Sequence, residues 1–298
     1  MVKEPGIYKN VPYPEYKTWE CLSAHGVSNM LRSALHYHVM VVNDRPPTDS
    51  MILGQLVDAM LLENGRLDDF FIQPETYLSV DKKGVEEVKA WTLRSNTCKM
   101  VYQQALDEGK TPVTTEQIAK AQIMVDEVKK HPMATELLYD CETQVSYVWD
   151  QDVIGANGLP TGKKCRMKAR MDAVKEGHVI DLKTTWNASP ASFGYEIHKY
   201  KYYIQLAVYS ECYTQFNQGI IPGAYIIAVE NELPHCVVAY QLGVDSLATG
   251  KALWNEAMLR YVECQESGIW PGYSNTIEEI DIPRYAIDRA LNEGVFNV

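Results

Sequence analysis

Two segments, Lys164 to Val174 and His178 to Thr185, are separated only by Lys175-Glu176-Gly177. A loop that short, with glycine available where φ turns positive, predicts an antiparallel hairpin. Side chains on a strand alternate between faces. Asp181 and Lys183 therefore share one face of the second strand, while Ile180 and Leu182 take the other. Across the turn, Asp172 is expected opposite or diagonal to Asp181, near enough for both carboxylates to hold one hard cation. Such a cation would polarise a phosphodiester and lower the pKa of a bound water, with Lys183 orienting that water or neutralising developing charge. The plain alternative for an isolated Asp-x-Lys is a solvated surface pair. The apolar flanks, the second acid upstream and the helix that follows favour the metal site.

The rest of the chain sets the hairpin among helices. Helical spacing predicts helices over Val27 to Val39, Met51 to Glu63, Val85 to Glu108 and Thr115 to Lys130. Thr114 and Gln117 offer a capping box for the last of these, which His131-Pro132 ends. From Glu142 the pattern turns to alternation, as a half-buried strand requires, and Gly155 to Gly162 reads as a turn. After the hairpin come a helix from Tyr200 to Phe216, strands Ala224 to Glu230 and His235 to Leu242, and a helix from Ser246 to Glu266. The expected architecture is α/β in the α+β sense: a mixed β-sheet flanked by helices, in one domain. Residues 1–135 are its mainly helical N-terminal part and residues 136–298 its sheet core.

Composition narrows the function. A chain of 298 residues that is 46% apolar can bury a substantial core. Its longest apolar stretches, such as Ala224 to Val229, fall far short of the roughly 20 residues of a membrane span. No membrane partner is expected, and with no apolar leader at Met1 to Gly6 a cytoplasmic location is. The seven cysteines form no C-x-x-C pair, which argues against zinc and iron–sulphur sites and leaves Mg²⁺ or Mn²⁺. A net charge of -11 argues against indiscriminate nucleic-acid binding, so any DNA contact must come from clustered bases. Arg166, Lys168 and Arg170 lead into Asp172 on one face and are the candidate phosphate track, His198, Lys199 and Lys201 its extension. A solvated edge strand is the alternative for the first three. Tyr195, Tyr200, Tyr202 and Tyr203 could stack on bases or pack in the interior.

Met167 to Asp172 followed by Val179-Ile180-Asp181-Leu182-Lys183-Thr184-Thr185 resembles the core of the RecE-type (exonuclease VIII) branch of the PD-(D/E)xK, restriction-endonuclease-like nucleases. The resemblance covers most of the chain. Leu22-Ser23 through Ser33-Ala34-Leu35-His36-Tyr37 is similar to the family's SP-x-HY segment, with Ala34 in place of proline. Gly54 to Asp58 with Leu61-Leu62-Glu63 resembles G-x-x-x-H and L-L-E-P, Gln205 and Tyr209 resemble Q-x-x-x-Y, and Trp270-Pro271-Gly272-Tyr273 the closing segment. Asp58 stands where a metal-binding histidine is usual, and Met171 replaces the proline of R-P-D.

The resemblance implies that Asp172, Asp181 and Lys183 are catalytic, and that Asp58, Asp172, Asp181 and the Leu182 backbone carbonyl bind metal. Gln205, Tyr209 and Glu142 are candidates for the surrounding shell or DNA, although a core tyrosine with its glutamine and a strand-end surface acid are open alternatives. It further implies 5′-to-3′ digestion of linear duplex DNA from its ends, leaving 3′ single strands for recombination. A ring-like homo-oligomer, a RecT-type single-strand annealing partner and a phage or prophage gene in a bacterial host go with that activity. An endonuclease or single-strand nuclease on the same core, or a non-catalytic DNA-binding recombination protein, are the alternatives. The intact Asp172, Asp181 and Lys183 argue against the last.

Overall fold

The computed structural model describes residues 2–42, 46–63, 67–80 and 83–292. Its strands are β1 (Gly6–Tyr8), β2 (Leu22–Ser23), β3 (Phe70–Ile72), β4 (Thr76–Val80), β5 (Glu86–Ala90), β6 (Thr111–Val113), β7 (Glu142–Ile154), β8 (Pro160–Lys175), β9 (His178–Thr185), β10 (Gly223–Glu230) and β11 (Val237–Gln241). Its helices are α1 (Tyr13–Lys17), α2 (Ala24–Arg32), α3 (Ala34–Val42), α4 (Asp49–Leu62), α5 (Asn96–Asp107), α6 (Thr115–Lys130), α7 (Pro132–Leu138), α8 (Pro190–Lys199), α9 (Tyr202–Phe216), α10 (Val244–Ser267) and α11 (Arg284–Asn292).

Among the described residues, one mixed sheet runs in the order β1-β7-β8-β9-β10-β11, with β2 beside β8. The hairpin β8–β9 turns through Gly177 at φ +70°, as its sequence requires. β9 and β10 are parallel, which demands a crossover, and α8 and α9 supply it. On one face Val27 and Met30 of α2, Leu206 of α9 and Trp254 and Met258 of α10 pack on Met167, Ala169 and Met171. On the other, Leu53, Leu56 and Val57 of α4 and Met124 and Val125 of α6 pack on Ile180, Leu182 and Ile227. Each fully buried side chain of this size contributes about 1.5–3 kcal/mol, so both layers pin the hairpin between them.

The helix at Thr115–Lys130 forms with the expected Thr114–Gln117 capping box. Two expectations need correction. Val85 to Glu108 is not one helix: Glu86–Ala90 pairs with Thr76–Val80 as a hairpin, and the helix starts at Asn96. Val27 to Val39 is broken at Ser33, whose extended backbone (φ −170°) ends α2. The N-terminal part is mainly helical as expected, and it also lends the sheet two short strands, β1 beside β7 and β2 beside β8.

Candidate active site

β7 lines one edge of β8 almost throughout, from Glu142 beside Val174 to Asp152 beside Lys164. The other edge is divided. β9 pairs there with Ala173, Val174 and Lys175, and β2 with Met167 and Lys168. The next step of the β8–β9 register sets Asp172 against Asp181, and at that step the strands part. Backbone groups freed by such a gap need partners. Asp172 Oδ2 accepts the Leu182 N–H at 2.9 Å, and the Tyr209 hydroxyl donates to the Arg170 carbonyl at 2.8 Å. Strict alternation breaks at the same place, since Met171 and Ala173 pack into cores on opposite faces. Across β7, Gln144 adopts φ +53°, a left-handed conformation that costs a non-glycine residue about 1–2 kcal/mol. Its side chain accepts from Arg170 Nε at 2.6 Å.

Asp181 is fully buried. Its Oδ1 accepts from Gln205 Nε2 at 3.0 Å, and Gln205 also donates to the Tyr209 hydroxyl at 2.8 Å. Lys183 Nζ stands 2.5 Å from Oδ2 and forms an ion pair with it. Burial raises the Asp181 carboxyl to about 7, Lys183 pulling against that shift and Asp172 adding to it. Burial alone would lower the Lys183 ammonium, yet Asp181 and Asp172 outweigh it and hold the lysine above its ordinary value. The ammonium also lies 5.0 Å over the Tyr202 ring.

Asp58 arrives from the opposite layer. α4 crosses closely over β9: a Cβ on Gly54 would stand 3.4 Å from Thr184 Oγ1. One turn further on, the half-buried Asp58 carboxyl is pushed well above its ordinary value. Burial is the main cause; Asp172 repels it next, Asp181 and Glu63 add, and Lys183 opposes. Three acids thus share one electrostatic neighbourhood where the sheet opens. Among the described residues they do not close into a compact three-acid cage. Mg²⁺ does not require one, because it commonly keeps several waters beside one or two carboxylates. The buried Asp181, with Asp172 and Asp58 beside it, presents the oxygen donors a hard divalent cation takes, so these residues fit such a metal.

Other expected site residues lie elsewhere. Arg166 grips Asp150 through Nε at 2.5 Å and Nη2 at 3.2 Å, and the Lys3 carbonyl through Nη1 at 2.6 Å. Lys168 is buried, donating to the carbonyls of Tyr16, Lys17 and Trp19 at 2.9, 3.2 and 2.8 Å. Arg170 reaches Gln144, the Val11 carbonyl and, at 3.7 Å, Glu63. The expected phosphate track is thus engaged in binding the N-terminal segment and is not offered to a ligand. Glu142 is an exposed strand-end acid paired with Lys9 at 2.7 Å, which removes it from the metal shell. Gln205 and Tyr209 do reach the site, as positioning groups for Asp181 and the Arg170 backbone. Gln144 and Glu63 were not legible as site supports, since only tertiary contact through Arg170 brings them there.

The sequence matches, over residues 28–283, the family model described as a PDDEXK-like domain of unknown function (DUF3799). No curated protein matches it. A crystal structure from Eubacterium rectale, of a protein named as a candidate exonuclease, superposes with a TM-score of 0.57 over 94% of this chain and 98% of that one, at 12% identity. At such identity the likeness speaks for the fold. The structure of SSO0001, 15% identical over 71% of this chain and 88% of that one, has a TM-score of 0.30 and carries no argument. With the parted hairpin, its two aspartates and its lysine in place, the family match leads to one conclusion: this chain belongs to the PDDEXK-like family DUF3799.

Proposed function

We propose that the chain is a metal-dependent DNA exonuclease. The observation that carries this reading is the meeting of Asp172 and Asp181 at the parting of β8 and β9, with Lys183 paired to the buried Asp181. Asp58, Asp172, Asp181 and the Leu182 carbonyl would hold Mg²⁺ or Mn²⁺, which when bound supplies Lewis-acid polarisation of a phosphodiester. The protein's own groups do the positioning. Gln205 fixes one oxygen of Asp181, and Tyr209 fixes both Gln205 and the β8 backbone. Held protonated by two carboxylates, Lys183 acts as a fixed positive charge toward a phosphate rather than as a base.

The membership, the fold and the resemblance of the flanking segments support an exonuclease acting 5′-to-3′ on linear duplex and leaving 3′ single strands for recombination. Double-stranded ends are its substrate. A ring-like homo-oligomer, a RecT-type annealing partner and a phage or prophage gene acting in a bacterial cytoplasm complete the proposal. No helix among the described residues is long and apolar enough to cross a membrane.

The test is digestion of linear duplex labelled at the 5′ or 3′ end, against closed circular duplex, with Mg²⁺ and with EDTA. Early release of the 5′ label, sparing of the circle and inhibition by EDTA are expected. Cutting of the circle would make the protein an endonuclease; intact linear DNA, with Asp181→Ala behaving identically, would end the nuclease reading.

A further inference from the structure

Across the junction of α8 and α9 runs a stretch without acids, His198-Lys199-Tyr200-Lys201-Tyr202-Tyr203, in a chain whose net charge is -11. Its three tyrosines divide by position. Tyr203 is buried and stacks on His198, with ring centroids 6.2 Å apart. Tyr202 packs against Phe193, their ring centroids 6.3 Å apart, and the Lys183 ammonium lies 5.0 Å over its ring. Tyr200 stacks on Tyr202 at 5.7 Å and 28°, yet is 52% exposed, and Lys199 Nζ lies 5.0 Å over its ring. Contacts therefore link Lys183 to Tyr202, Tyr202 to Tyr200 and Tyr200 to Lys199, from the buried ion pair to the surface; a base on Tyr200 would take the place of the flexible Lys199 side chain, whose ammonium could then meet its phosphate. Lys201, which turns one helix into the next, does so at φ +60°.

Aromatic faces interleaved with lysines suit one ligand above others. Bases stack on aromatic rings without regard to sequence, while cations follow the phosphates. A base inside a duplex already has both faces covered, so only an unpaired nucleotide can use such a ring. We propose that Tyr200, flanked by Lys199 and Lys201, is a stacking platform for an unpaired DNA base next to Lys183, so that the site takes a frayed or single-stranded end. The inference rests on the nuclease reading to bring DNA to this face.

The experiment places 2-aminopurine as the unpaired terminal base of a tailed duplex and binds it to the full chain with Ca²⁺ replacing Mg²⁺. Binding to the wild type should quench the fluorophore. Tyr200→Ala should lose the quenching and bind about tenfold more weakly, while Tyr200→Phe, which keeps the ring, retains both. Lys199→Ala should keep the quenching with a salt dependence shallower by roughly one unit of slope. Unchanged quenching and affinity in Tyr200→Ala, or binding of wild type without quenching, would overturn the platform and leave this face to a protein partner. Parallel Mg²⁺ digests separate the two readings. Tyr200-dependent quenching without cleavage retains the platform and removes the nuclease, whereas cleavage with Tyr200→Ala indistinguishable in quenching and affinity removes only the platform.

Discussion

Lys168 and Lys183 sit on the two strands of one hairpin, both turned inward, and the fold uses them oppositely. Lys168 is ringed by three neutral carbonyls, matching its three N–H donors, with the Tyr16 ring 4.7 Å away. Burial lowers its pKa to about 8. Lys183 is ringed by carboxylates, which raise its pKa against the same force. Burial therefore does not decide what a lysine is for. Dipoles satisfy an ammonium and make it a fastener; carboxylates keep it charged, and a phosphate entering their field would meet that charge.

The largest expected break in this comparison is at Lys183. Lys183→Ala should lower cleavage by about 10³-fold or more while Mn²⁺ still binds, as followed by calorimetry. Asp181→Asn should lose both. At Lys168 the damage should be to stability instead: Lys168→Met strands three buried carbonyls and should cost about 2–4 kcal/mol, read as a lower urea midpoint. Methionine keeps the apolar stem, so the loss reports the ammonium.

pH sharpens the contrast. Asp181 titrates near 7 in the fold against an ordinary 3.8, so between those values the native state holds more protons than the unfolded state. The metal-free protein should lose stability as pH rises from about 4 to 7, with the full cost present above 7. Lys168 titrates near 8 against an ordinary 10.5, so between these values the unfolded state holds more protons at this group and its own contribution to stability rises, while the buried thiols of Cys165 and Cys212, raised by burial, contribute with the opposite sign. The difference in urea midpoint between variant and wild type across pH checks both signs: Asp181→Asn should make the fall in the first window shallower, Asp58 keeping its share, and Lys168→Met should remove a rising contribution from the second. The smallest effect should come from Tyr209→Phe, which removes the hydrogen bond to the Arg170 carbonyl and the one accepted from Gln205 and should cost about 1–2 kcal/mol with a modest fall in kcat.

What could be read from the sequence followed from locality. The hairpin was legible because Gly177 and the Asp181–Lys183 alternation are local signals, and so was the Thr114–Gln117 cap. Glu86–Ala90 was not: every residue in it is exposed, so no apolar period distinguishes strand from helix, and only pairing with Thr76–Val80 decides. The cation row failed for a different reason. Alternation correctly groups Arg166, Lys168 and Arg170, but it cannot foresee that carbonyls of residues 3–19 would occupy them. Nor does alternation survive Asp172, where the cores of Met171 and Ala173 change sides. Asp58 and Gln205 reach Asp181 from opposite layers, and no local pattern encodes that meeting.

The most direct test sets the two lysines side by side. Cleavage of end-labelled linear duplex with Mg²⁺ is measured per folded molecule for Lys168→Met and Lys183→Ala, the folded fraction taken from circular dichroism. Lys168→Met should remain within a few-fold of wild type and Lys183→Ala should fall by about 10³-fold or more. Wild-type cleavage by Lys183→Ala, or an equal loss in both variants, would contradict the assignment of the chemistry to the parted hairpin.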